Sequence, residues 1–414
     1  MFKKSKYTCK QGWERDMVRK FRLTESQVKQ LAAKYSTPLL LLDEDQIEHN
    51  YRFLKEHMPK VKVFYAVKAN PDERIIKTLS SLGSCFDVAS DGEMLALTDL
   101  GVAADNMVYA NPFKTPNGLA VAKKTGVNKF TFDSESEIYK MAQAVPGGTV
   151  LLRVRVDNPK ALVDLNKKFG AAPEDTIKLL GLAKKSGLDV GGLCFHVGSQ
   201  SPTAEAHVEA LKICRRLFDE AKEAGFNLRI LDIGGGFPIQ AHLDFEYDYE
   251  YMAEEIIAQI KNTCLNNGVP EPNVFTEFGS YTVGESGAML YSIVNQKQQN
   301  DRELWNMIDS SFMTTLPDTW AINQRYVLLA VNNWDKEYQR VHLGGLTCDS
   351  EDFYNAEAHS NAVFMPKMQP GEEQEQYVGF FHMGAYQESL GGYGGIQHCL
   401  IPGPKLVVID RDED

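Results

Sequence analysis

Hydrophobic and polar positions along the chain follow a repeating rhythm. Short apolar, β-branched or aromatic stretches alternate with longer stretches of helical periodicity. The apolar stretches are 62–69 (KVFYAVKA), 84–90 (SCFDVAS), 106–112 (NMVYANP), 129–134 (KFTFDS), 149–156 (TVLLRVRV), 188–199 (LDVGGLCFHVGS), 228–236 (LRILDIGGG) and 273–279 (NVFTEFG). The clearest helix is predicted over 203–225. There Val208, Leu211, Cys214, Leu217 with Phe218, and Ala221 fall on one face, and Gly225 suits the position just past the C-terminus. Eight strands alternating with helices predict a (β/α)₈ barrel. Lys68, Asp87, Asn111, Asp133, Arg153, His196, the run 234–236 and Glu277 all fall at or near the C-terminal ends of these strands. That rim is where such barrels carry their active sites.

After residue 286 the pattern changes. Short strand-like segments at 326–331, 341–346 and 377–381 are separated by Gly and Asn/Asp turns, and long helical patterns are scarce. This predicts a second, mostly-β, sandwich-like domain. The expected division is 1–44 as an N-terminal segment packing on the β domain through the run 37–43 (TPLLLLD), 45–285 as the barrel, and 286–414 as the C-terminal β domain.

Composition narrows the function classes. The chain has 414 residues, 43% hydrophobic and 24% charged, enough for a large core. With 44 Lys+Arg against 56 Asp+Glu, the net charge is −12, and no long basic run exists. Nucleic acid and anionic membrane are therefore poor partners. Seven scattered cysteines with no C-x-x-C pair argue against a disulfide scaffold or zinc ribbon and for a reducing, cytoplasmic setting. The start, MFKKSKY, is not followed by an apolar signal core, and no apolar run reaches membrane-spanning length.

Each rim residue has an ordinary reading beside a chemical one. A strand-end lysine such as Lys68 usually snorkels to solvent. On a rigid rim it can instead serve as a desolvated amine that forms a Schiff base. Gly234, Gly235 and Gly236 make a tight strand-to-helix turn, or let backbone N–H groups approach a phosphate. The run is not G-x-G-x-x-G, so it is no dinucleotide fingerprint. His196 has no second ligand at a usual spacing, so no metal site is expected. Cys348 sits beside acids in 344–352 (GGLTCDSED), where a free cysteine is usually inert.

Together, eight segments occur in the order and spacing of one family. They are 64–70 (FYAVKAN), 86–90 (FDVAS), 109–114 (YANPFK), 131–135 (TFDSE), 195–200 (FHVGSQ), 232–238 (DIGGGFP), 346–352 (LTCDSED) and 384–386 (GAY). From about 37 to 404 the chain resembles the fold type III, or alanine-racemase-fold, pyridoxal-phosphate enzymes, and specifically the ornithine/arginine/diaminopimelate decarboxylases. The resemblance implies pyridoxal 5′-phosphate as cofactor and Lys68 as its Schiff-base lysine. It implies that His196 stacks on the ring and that Glu277 pairs with the ring nitrogen. Gly235, Gly236, Ser199 and Tyr386 would hold the phosphate, with Asp87 and Arg153 shaping the ring pocket. Cys348 would return a proton to the α-carbon and Asp349 would contact the distal end of the substrate. In the family these last two serve the partner subunit's site, which implies a homodimer. One departure stands out: the family's E-P-G-R-Y reads E-F-G-S-Y at 277–281, so Ser280 replaces an arginine that grips the phosphate.

The acid-rich run 349–352 favours a substrate with a cationic tail. The expected activity is decarboxylation of ornithine, lysine or arginine, in L or D form, to the amine and CO₂. Gln200 and the stretch 167–170 look more like the diaminopimelate branch, and 310–320 resembles biosynthetic arginine decarboxylases. Diaminopimelate decarboxylation is the alternative. A catalytically inactive regulator and a racemase rank lower, because Lys68, His196, Glu277, Cys348 and Asp349 are all retained and racemases lack the C-D-S segment.

Overall fold

The computed structural model describes residues 23–241, 247–267, 272–357, 360–368, 375–392 and 394–409. The start of the chain, MFKKSKY, lies outside them. The chain divides into two units. The barrel unit is Ile47–Ile239 with Tyr247–Thr282, and the β unit takes the described residues up to Gln46, around Gln240, and from Val283 onward.

Strand β1 (Leu39–Asp43) opens the described sheet structure and is buried along its whole length. The barrel strands follow: β2 (Lys62–Ala66), β3 (Cys85–Val88), β4 (Met107–Tyr109), β5 (Lys129–Phe132), β6 (Thr149–Arg153), β7 (Asp189–Cys194), β8 (Ile230–Asp232) and β9 (Asn273–Thr276). They pair in sequence order, all parallel, and β2 pairs with β9 to close the ring. Each of the eight apolar stretches thus contains a strand, but the strands are shorter than the stretches. Asp87 and Arg153 are still within β3 and β6, whereas Lys68, Asn111, Asp133, His196, the run 234–236 and Glu277 lie just beyond their strands. Closure needs buried side chains pointing inward. Phe64, Val108, Leu151, Cys194, Ile230 and Phe275 supply one such cluster, with the Phe64 and Phe275 rings 4.6 Å apart. Each fully buried phenylalanine contributes about 1.5–3 kcal/mol.

The helix Glu205–Glu223 matches the stripe read from the sequence. It ends with Gly225 in the left-handed region (φ 81°). The Gly225 and Phe226 N–H groups donate to the carbonyls of Lys222 and Ala221, which satisfies the last turn as a Schellman motif does.

The β unit is built from β10 (Gly287–Asn300), β11 (Glu303–Ile308), β12 (Val327–Ala330), β13 (Tyr338–Gly344), β14 (Val363–Pro366), β15 (Tyr377–Phe381) and β16 (Lys405–Ile409). The order is β12-β15-β10-β11-β13-β14, with β1 joining β10 and β16. N-terminal and C-terminal segments therefore share one sheet. Tyr291, Phe312, Tyr354 and Phe380 pack at its centre. Among the described residues no helix is long and apolar enough to cross a membrane.

Candidate active site

The site is built where the barrel strands end. Strand β2 stops at Ala66, and Val67–Ala69 form a single 3₁₀ turn. The turn lifts Lys68 out of a buried run, so its side chain is 41% exposed while Val67 and Ala69 are fully buried. Ala66 lies opposite Asp87 in the β2–β3 register. Lys68 Nζ consequently meets Asp87 Oδ2 at 2.5 Å, and the Asp87 side chain is completely buried. Asp87 Oδ1 has no hydrogen-bond partner among the described residues.

Three further strand ends add charge. Arg153 closes β6, its guanidinium 4.9 Å above the Phe169 ring, with one NH₂ group buried and unpartnered. Asp232 closes β8 and Glu277 follows β9 directly. Burial pushes both carboxyls above the usual range; the Asp87 charge adds to both and the Asp232 charge adds to Glu277, while hydrogen bonds from the Gly234 N–H and with Glu277 hold Asp232 back. Lys68 and Arg153 pull the other way on Glu277. Three carboxyls (Asp87, Asp232, Glu277) thus face two cations. One proton, shared between Asp232 and Glu277, restores neutrality in a place where unbalanced charge is costly.

His196 lies two residues beyond β7. Its Nδ1 accepts from the Gly198 N–H at 3.0 Å. Burial, then the nearby Arg153 and Lys68 cations, hold its pKa well below the ordinary value, so the ring is neutral with its proton on Nε2.

The glycine run packs against this ring. A Cβ on Gly235 would stand 2.7 Å from Glu277 O and 3.1 Å from His196 Nε2. Gly234 and Gly236 have φ of 64° and 113°. The three carbonyls are tied inward: Gly234 O to the Glu277 N–H (2.8 Å), Gly235 O to His207 Nε2 (3.2 Å), Gly236 O to the Ser201 N–H (2.8 Å). With the carbonyls fixed, the Gly235 and Gly236 N–H groups remain as donors for an anion.

The barrel unit therefore gathers Lys68, Asp87, Arg153, His196, Gly235, Gly236 and Glu277. Ser199, half-buried, lies in the same unit and bridges to Val163 through its N–H at 3.1 Å. Cys348, Asp349 and Tyr386 belong to the β unit. Tyr386 adopts φ 69°. Cys348 is exposed, and its hydrogen bond with Cys399, the largest influence, holds its thiol above the ordinary value.

Two sequence signals for the diaminopimelate branch have structural explanations. Gln200 Oε1 accepts from the Ile239 N–H at 2.8 Å, bracing the loop after the glycine run. Within 167–170, Phe169 lies under Arg153 and the Gly170 N–H donates to Asp133 Oδ2 at 2.8 Å.

Several functional neighbours escaped the sequence reading. His207 is fully buried between Phe195 and Phe237, and burial pushes its pKa down to about 4. Its one visible signal is its place on the stripe of Leu211 and Cys214. Glu93 accepts from the Ala89 N–H at 2.6 Å, and burial raises it to about 7. Lys114, at the end of the YANPFK segment, is wholly buried, with its Nζ donating to the Asn111 and Thr131 carbonyls and paired with Glu137 at 3.3 Å.

Comparison with known proteins identifies the family. Residues 44–284 match the family described as pyridoxal-dependent decarboxylase, pyridoxal binding domain. A lysine/ornithine decarboxylase from Selenomonas ruminantium is 44% identical over 339 residues, covering 81% of this chain and 83% of the relative. The crystal structure of lysine decarboxylase from the same organism superposes with a TM-score of 0.84 at 38% identity, covering 95% and 97% of the two chains. A lysine/ornithine decarboxylase from Vibrio vulnificus complexed with cadaverine gives 0.80 at 26%, covering 94% and 100%.

The residues present fit the cofactor. An anion-ready pair of glycine N–H groups, a neutral imidazole beside them, a buried carboxyl group with one proton to share, and a rim amine match a phosphate, a flat ring, a ring nitrogen and an aldehyde. The unpartnered Asp87, Arg153 and Asp232 atoms are what a polar ligand would satisfy. The chain belongs to the pyridoxal-dependent decarboxylase family.

Proposed function

We propose that this protein decarboxylates lysine and ornithine to the corresponding diamines and CO₂, with pyridoxal phosphate as cofactor. The observation that carries the reading is the rim group: Lys68 Nζ 2.5 Å from the buried Asp87, with the Asp232–Glu277 pair beside it. The named activities of the similar proteins and the acidic run after Cys348 support a substrate with a cationic tail.

Pyridoxal phosphate, when bound, supplies the electron sink for the carbon that loses CO₂. Lys68 would hold its aldehyde carbon, and Asp87 would position Lys68 Nζ through their hydrogen bond. Glu277 would face the ring nitrogen, with Asp232 buffering its proton. His196 presents a neutral face to the ring, and Arg153 offsets the buried carboxyls. Gly235 and Gly236 N–H groups would bind the phosphate, helped by Ser199 and Tyr386. In this reading Ser280 leaves the phosphate to backbone donors, without the family's arginine.

Cys348 Sγ keeps its proton at neutral pH because its thiol is raised, so it can deliver one to the α-carbon. Asp349 would accept the distal ammonium. We read both as serving the partner subunit, so the working form is a homodimer with shared sites. Cys85, Cys194, Cys214, Cys348 and Cys399 are free, which supports a cytoplasmic setting.

The test is CO₂ release with identification of the amine, using both enantiomers of lysine, ornithine and arginine and meso-diaminopimelate. Preference for lysine or ornithine supports the reading. Preference for diaminopimelate overturns it.

A further inference from the structure

Two cysteines 51 positions apart meet in the β unit, at Sγ–Sγ 3.5 Å. The adjacent His398 joins them, and one ligand atom from each of Cys348, His398 and Cys399 lies within 4.8 Å of the others. His398 Nε2 is buried without a hydrogen-bond partner. Asp349 Oδ2 stands 3.9 Å from that nitrogen. Cys399 adopts a left-handed φ of 52°, which carries a cost for a residue with a Cβ.

The sulfur separation is far beyond a disulfide bond of about 2.05 Å. It is close to the edge of a tetrahedron with metal–sulfur bonds of about 2.3 Å, roughly 3.8 Å. Two thiols and an imidazole form a donor set that selects zinc over hard cations. We propose that Cys348, His398 and Cys399 bind a zinc ion, with Asp349 Oδ2 as the fourth ligand. Binding displaces the two thiol protons to solvent, and each sulfur gives a lone pair to the metal, with no change of oxidation state.

The consequence rests on the function proposed above, in which Cys348 returns the proton and Asp349 grips the substrate. Zinc engages both, so occupancy switches off turnover and its removal restores it. This site is not legible in the chain's spacing, because Cys399 and His398 stand at no usual ligand interval from Cys348.

The experiment uses cofactor-loaded protein, kept reduced with a phosphine, and titrates zinc against a chromogenic chelator. Wild type, Cys399→Ser, His398→Gln and Lys68→Ala are compared. One tight zinc per chain is expected in wild type and Lys68→Ala, weakened about 100-fold or more in Cys399→Ser and His398→Gln. Cobalt(II) in place of zinc should give thiolate charge-transfer absorption that Cys399→Ser lacks. CO₂ release should fall in step with zinc occupancy in wild type, resist zinc in Cys399→Ser, and return on chelation. No tight zinc, or equal zinc binding with and without Cys399, overturns the site. Zinc bound through Cys399 while CO₂ release continues unchanged leaves the site standing and overturns the role given to Cys348.

Discussion

Lys68 Nζ and Asp87 Oδ2 stand 2.5 Å apart at the ends of adjacent barrel strands, one side chain partly open to solvent and the other completely buried. The pair exists because Ala66 and Asp87 are in register and a 3₁₀ turn follows Ala66 at once. Asp87→Asn keeps the shape and removes the charge. Losing a charge-assisted hydrogen bond costs about 1.5–3 kcal/mol, so CO₂ release should fall about ten-fold or more. Unchanged turnover with full cofactor would show that Asp87 does not position Lys68.

His207 anchors the glycine run from behind. Replacing it with phenylalanine keeps the aromatic packing but leaves Gly235 O without its donor. An unsatisfied buried carbonyl costs about 1–3 kcal/mol, which should weaken pyridoxal phosphate binding about ten-fold. Excess cofactor should restore the rate, and His207→Gln should recover part of the affinity. Cofactor dissociation measured by absorbance after gel filtration checks this.

Ser280→Arg installs the charge that the family resemblance leads one to expect after Glu277. Cofactor retention should improve several-fold without a change in the preferred substrate. Dialysis followed by absorbance reads the difference.

Glu93 makes stability depend on pH. Burial raises it from 4.5 to about 7, so between these values the unfolded chain ionises while the folded chain keeps its proton. The folded state then binds more protons, and stability falls as pH rises through this window. The change amounts to about 3 kcal/mol at most. Asp133 and Glu277, also raised, act in the same direction. Urea unfolding of cofactor-free protein across pH 4.5–7.5 should show a shallower decline in Glu93→Gln than in wild type. Parallel curves would place the raised proton elsewhere.

Shared sites predict complementation. Lys68→Ala and Cys348→Ala are each expected to be nearly inactive. Random reassortment makes half the dimers mixed, each with one intact site of two, so about a quarter of wild-type activity should return. No recovery despite demonstrated subunit exchange would count against a site built from two chains.

Much of the barrel is legible in the sequence because its strands are buried on both faces. That burial forces continuous apolar runs, and the polar residue that ends each run marks the rim. Lys68, Asp87, Arg153 and Glu277 are visible for this reason. Gly234–Gly236 are visible because only glycine tolerates the approach to His196 and the backbone turns found there. Other features depend on distances that chain spacing does not encode. Asp232 ends a strand with no signal of its own partner; the β8–β9 pairing sets it opposite Phe275, two residues before Glu277. His207 sat on a helix stripe, and only packing showed that its ring holds the Gly235 carbonyl. Cys348 and Cys399 are separated by 51 residues along the chain, yet their sulfurs stand 3.5 Å apart. Sequence periodicity determined which residues are buried and which end a strand. Only the tertiary structure decided which buried charges share a proton and which thiols share a neighbour, because those interactions fall off within a few ångströms across elements that are remote along the chain.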